Sequence, residues 1–142
     1  MTRFGTVSSL IAAGCPAGLH VSAPEELWVR TLVCGGDTVI VLCVTEDYAS
    51  DRPGTAYQPI EKSEVGVALP KWMEAADVFE ITCRGTGDVR WDKAGRTLNL
   101  HLGTTDLTRM IVVTSEAKLR SQLQERYNRK FAANVARLTG GK

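Results

Sequence analysis

The chain offers few residues that could do covalent or metal chemistry, and they are scattered. Its histidines are His20 and His101, and its cysteines are Cys15, Cys34, Cys43 and Cys83, with no C-x-x-C pair among them. A zinc site needs several ligands at short spacings, so neither a metal nor a cofactor is expected. "CGGDT" joins two strand-like runs and opens no helix, so it is not a phosphate loop, and G-x-S-x-G does not occur. His101 falls on the outward side of a strand pattern, with no carboxylate at a sequence spacing that would orient it. It reads as a surface histidine.

Glu46, Asp47 and Asp51 are the clustered acids beside aromatic residues. Two-carboxylate hydrolysis of a sugar needs acids on opposite sides of the ring, one with a raised pKa. These acids stand at a strand end and in the loop after it, and read as turn-forming or solvating residues. No catalytic residue is assigned, and the chain is expected not to be an enzyme. A small enzyme would need convergence in space of residues unrelated in sequence, such as His101 with Asp106.

A binding reading has more to work with. Sugars stack C–H faces on aromatic rings while carboxylates and amides hold their hydroxyls. Tyr48, Asp51, Arg52, Tyr57 and Gln58 lie in one loop at the end of a strand, and Trp72 follows a strand stop at Pro70. These six are the candidate oligosaccharide-binding residues. The alternative is that the tyrosines pack the loop onto its own domain. Trp28 and Trp91 sit in strand patterns and are expected in the core.

The elements that must position these residues are mostly strands. "ELWVRTLVC" and "TVIVLCVTE" flank the turn Gly35-Gly36-Asp37 and are apolar at nearly every position, as in the middle of a sheet covered on both faces. Residues 47–63 form a long loop without periodicity. "EVGVALP" and "VFEITCRG" are further strands. "DVRWDKAGRTLNLHL" is a hairpin around Lys93-Ala94-Gly95, with Val89, Trp91, Leu98, Leu100 and Leu102 inward and Arg90, Asp92, Thr97, Asn99 and His101 outward. "DLTRMIVVT" closes the set. Without strand–helix alternation, the class is mainly β: an antiparallel β-sandwich of seven to eight strands.

After Ser115, a plausible N-cap, the period becomes helical for about twenty residues and stops at Gly140. Leu119, Leu123, Tyr127, Phe131 and Val135 form an apolar stripe that folds back on the sheet or pairs with another chain or domain. Lys118, Arg120, Arg126, Arg129, Lys130 and Arg137 read as its solvated face. At the other end, Val7, Leu10 and Ile11 mark a short helix ending at Gly14 and Pro16. The chain thus divides into a lead-in (1–18), a sandwich (19–114) and a C-terminal amphipathic helix (115–142).

With 142 residues and a net charge of +1, nothing in the composition calls for nucleic acid or acidic lipid. No segment is long enough to span a membrane. Counting from the turn sets Cys43 opposite Trp28 to Arg30, away from Cys34, so buried free thiols are expected, and with them a reducing, cytoplasmic setting. "IAAGC" is at most a weak lipoprotein-like signal, its apolar run being short and interrupted.

The order of three pieces carries a resemblance. "VRTLVCGGDTVIVLCVTEDY", "VGVALPKWMEAADVFEITCRGTGDVRW" and "GRTLNLHLGTTDLTRMIVVTS" together resemble the C-terminal β-sandwich of multidomain glycoside hydrolases, over about Leu19 to Thr114. That resemblance implies a non-catalytic module that docks on a catalytic glycosidase domain, supports oligomerisation or binds sugar. It transfers no catalytic residue. It makes the chain a detached accessory domain, as a small protein or as a piece of a longer one, with "TVSSLIAAG" as the end of a helix leading out of a barrel. The C-terminal helix departs from the pattern.

Overall fold

The computed structural model describes residues 2–45, 48–49 and 56–140. The chain begins with α1 (Thr2–Ala12), followed by the short strands β1 (Gly14–Ala17) and β2 (Val21–Ser22). The long hairpin β3 (Leu27–Cys34) and β4 (Thr38–Thr45) comes next, then a small ribbon of β5 (Tyr48–Ala49) and β6 (Ala56–Tyr57). After these come β7 (Ile60–Ala68), β8 (Asp77–Thr82), β9 (Gly85–Asp88), β10 (Arg90–Ala94), β11 (Thr97–Thr105) and β12 (Thr108–Thr114). Two helices, α2 (Leu119–Lys130) and α3 (Ala132–Leu138), close the described chain.

Ten of these strands form two antiparallel sheets, in the orders β1-β3-β4-β12-β8-β9 and β10-β11-β7-β2. Alternation decides which face each residue serves. Val39, Val41, Val113 and Ile111 of the larger sheet meet Val65, Val67, Leu98 and Leu100 of the smaller one, forming the inter-sheet core. The opposite side chains of the larger sheet, Ile40, Phe79, Ile81 and Val112, meet Val7, Leu119 and Leu123 of the helices. The larger sheet is therefore buried on both faces, which is why its sequence shows so little alternation. Among the described residues, the smaller sheet is covered only on its inner face.

Polar side chains fasten the helices. Gln124 Oε1 accepts the Thr86 N–H at 2.8 Å and the Thr86 hydroxyl at 3.0 Å, fixing α2 to β9. Gly85 leaves room for this, with φ +105°, where a Cβ would come within 2.5 Å of the Gln124 amide. Arg126 donates to the Gly5 carbonyl and the Ser8 hydroxyl, tying α2 to α1. Arg120 donates to Asp88 at 2.7 Å and to the Val78 carbonyl at 3.0 Å. Arg120 and Arg126 thus dock the helix rather than belonging to a solvated face.

Several boundaries differ from expectation for local reasons. Ser115 does not cap a helix: its N–H and hydroxyl both reach the Asp37 carbonyl, at 2.9 and 3.3 Å, and α2 starts at Leu119. The helix breaks at Phe131 (φ −125°, ψ −30°), whose ring lies against Gly5. Asp88 ends β9 in the larger sheet, so the chain changes sheets at Val89 before the expected hairpin begins. Ile60–Ser63, assigned to a loop by sequence, is the start of β7. Trp28 is not core: it is 36% exposed, with the Arg30 guanidinium 4.1 Å above its ring. Cys43 does stand opposite Val29, and Cys34 and Cys43 are buried free thiols, whereas Cys15 and Cys83 are exposed. Burial raises the Cys43 thiol to about 12, with Arg109 opposing the rise and Glu80 adding to it.

Candidate functional site: the open face of the smaller sheet

The register of the smaller sheet lays its outward residues out as a lattice. Arg90, His101 and Glu64 stand in one row across β10, β11 and β7. Asp92, Asn99, Gly66 and Ser22 stand in the next row, which reaches the edge strand β2. Directly opposite residues in such rows lie about 5 Å apart, and diagonal neighbours remain within reach of long side chains.

His101 is the centre. Its Nδ1 lies 3.2 Å from Glu64 directly opposite, and its Nε2 lies 2.5 Å from Asp92 on the diagonal. A carboxylate at each nitrogen favours the doubly protonated ring, in which both nitrogens donate. The Asp92 and Glu64 hydrogen bonds raise the His101 pKa above its ordinary 6.5. The Asn99 amide, donating to Asp92 at 2.8 Å, and His101 hold the Asp92 pKa below its ordinary 3.8. This arrangement presents charge and hydrogen-bonding groups on the open face. The expectation that no carboxylate orients His101 is thus corrected. Asp92 is nine residues earlier and Glu64 thirty-seven, and only the strand register brings them together.

Two depressions flank the ring. One, of about 230 Å³, is lined by Lys62, Ser63, Glu64, Arg90, His101 and Gly103. The other, of about 420 Å³, is lined by Ser22, Glu64, Val65, Gly66, Thr97, Asn99 and His101. A larger open groove, of about 720 Å³, runs between residues 17–25 and β3. There one face of the Trp28 indole is already occupied by Arg30.

Among the described residues, the Tyr48–Gln58 segment and Trp72 lie at opposite ends of β7. Asp51 and Arg52, like Glu46 and Asp47, lie outside the described residues. Tyr48 and Tyr57 pair directly across the β5–β6 ribbon, and Gln58 is exposed just beyond it. Trp72 is 56% exposed but belongs to the other end of the sandwich. The nine-residue β7 runs from the ribbon end to the Trp72 turn and separates them by about 26 Å. The helix stripe is occupied within the chain: Leu119, Leu123 and Tyr127 are buried, and Phe131 and Val135 are half-buried. Those buried side chains are not free to meet another chain.

The architecture defines a class: an antiparallel β-sandwich with one sheet covered by helices and one polar sheet face left open. No protein family and no curated protein matches the sequence. Among solved structures, the chain is similar in fold to a segment of alpha-L-fucosidase isoenzyme 2 from Paenibacillus thiaminolyticus, with a TM-score of 0.54 and 13% identity. The match covers 69% of this chain and 15% of that one, so the likeness is to a minor part of a much longer protein. It agrees with the resemblance drawn from the strand order at the level of the fold. Among the described residues, no helix is long and apolar enough to cross a membrane.

Proposed function

We propose that the chain is a non-catalytic accessory β-sandwich of a carbohydrate-active system, and that its working surface is the open face of the smaller sheet. The single observation that carries this reading is that face. Among the described residues, the larger sheet packs most of both its faces against other layers, whereas Glu64, Asp92, Asn99 and His101 form a pre-ordered set of donors and acceptors facing outward. Carboxylates and amides held in this way suit sugar hydroxyls, and a flat sheet suits a chain of sugars or the surface of a glycosidase domain. The fold likeness to part of a fucosidase supports the carbohydrate setting. Oligomerisation through the helix stripe is the weaker alternative, because its first three residues are buried inside the chain. Binding through the 47–59 loop remains a second route to the same ligand class, favoured by the exposed Gln58 beside the Tyr48–Tyr57 pair.

Two assays on the purified chain test the proposal. Incubation with aryl glycosides is expected to release no aglycone, and electrophoresis through polysaccharide-loaded gels is expected to retard the chain. Turnover that survives rigorous purification, or mobility unchanged on every polysaccharide, would count against it.

A further inference from the structure

The charges on the open face are unevenly placed. Lys62, Arg90 and His101 line the smaller depression, where Glu64 is the one lining carboxylate. Glu64 is committed to His101 at 3.2 Å. Lys62 and Arg90 are exposed, and no hydrogen bond or ion pair to a described residue engages either charged group. Asp92 and Glu64 offset the charge of His101, and Asp92 also attracts Arg90, so Lys62 and the open donors of Arg90 are what this depression offers an anion.

The backbone gives an independent reason to look here. Lys62 is the one non-glycine residue among those described with positive φ, at 55°. It lies at an irregularity in the β7–β11 ladder, where the pairing passes from Gly103↔Ser63 to Thr105↔Ile60 and β7 gains a residue. Gly103, at φ 66°, takes the neighbouring shift on β11. Bulges of this type ordinarily use glycine. A lysine there carries conformational strain, and because its side chain is exposed, packing does not return the cost. Such strain concentrates at binding sites.

We infer that the pocket formed by Lys62, Arg90 and His101 binds an oxyanion, the sulfate or carboxylate group of an acidic saccharide. Arg90 supplies a planar donor pair suited to two oxygens, and Lys62 supplies a mobile point charge. On the other side of His101, Asn99, Thr97 and Ser22 line the second depression, with Gly66 as a floor without a side chain. These are partners for the hydroxyls of the same or the adjoining sugar, which favours a saccharide over a free ion. The inference rests on the reading of this face as saccharide-binding and adds the charge of the ligand.

The test is titration calorimetry on the full chain with a sulfated oligosaccharide, an oligouronate, a neutral oligosaccharide of equal length and inorganic sulfate. The acidic saccharides are expected to bind at least about tenfold more tightly than the neutral one, and Arg90→Ala and Lys62→Gly each to weaken them about tenfold. Affinity for the neutral saccharide should be unchanged in both variants. Glycine is at ease at φ 55°, so Lys62→Gly removes the charge without endangering the fold. Competition by inorganic sulfate would support the pocket and show that the oxyanion alone is recognised. Equal affinity for acidic and neutral saccharides, or acidic binding untouched by both variants, would overturn the inference while leaving a saccharide-binding module standing. No binding of any saccharide or of sulfate would overturn both readings.

Discussion

Both ring nitrogens of His101 face carboxylates, and this gives the open face a definite pH response. The folded pKa of His101 is raised, so its stabilisation is complete below the ordinary 6.5 and is lost as the pH rises through the folded value. Asp92 behaves oppositely: its pKa is lowered, so its stabilisation is complete above 3.8 and lost as the pH falls through the folded value. The network therefore contributes most between about pH 4 and pH 6.5. Melting curves of the chain and of His101→Gln should converge as the pH is raised from 6 toward 8, and parallel curves would sink this account of the ring. Lys62 gives a second residue-scale test. Relief of its left-handed backbone should make Lys62→Gly more stable by about 1 kcal/mol in urea unfolding, against the usual sign for glycine in a strand. A loss of stability would show that the lysine side chain contributes packing after all.

At the scale of elements, the helices are held by close fits as well as apolar area. Alanine is normally favoured over glycine inside a helix by about 1 kcal/mol. At Gly5 the added Cβ would come within 2.7 Å of the Phe131 ring, and overpacking of that kind costs about 1–3 kcal/mol. The clash wins, and Gly5→Ala should lower unfolding stability by about 1 kcal/mol; an unchanged or higher midpoint would mean the α1–Phe131 contact is dispensable. The strands themselves were legible because period-two alternation states directly which side is buried. Leu98, Leu100 and Leu102 went inward, and Asp92, Asn99 and His101 outward, as the pattern required. What the pattern hides is anything set by register or backbone strain. Ile60–Ser63 shows no strand period because the Lys62 irregularity breaks the alternation, and the carboxylates beside His101, one directly opposite and one diagonal on other strands, leave no local spacing to read. The short strands Gly14–Ala17 and Val21–Ser22 are too brief to carry a period at all.

For the whole molecule, the larger sheet needs its helices. Phe79 and Ile81 are fully buried beneath the helical layer, and each of Leu119, Leu123 and Tyr127 removes apolar surface whose burial stabilises by about 1.5–3 kcal/mol. Deleting residues 116–142 should therefore raise the association of the chain above that of the intact chain in light scattering. A truncated chain that stays monomeric and equally stable would show the helices to be an appendage. The smaller sheet needs no such cover, and its open polar face is the surface we propose for a ligand. Backbone amide spectra of the isotopically labelled chain, titrated with neutral and acidic oligosaccharides, test that assignment most directly. Shifts gathered on β7, β10 and β11, around Glu64, Asp92, Asn99 and His101, are the predicted result. Shifts confined to the Tyr48–Gln58 segment or the Trp72 turn, or none with any saccharide, would contradict it.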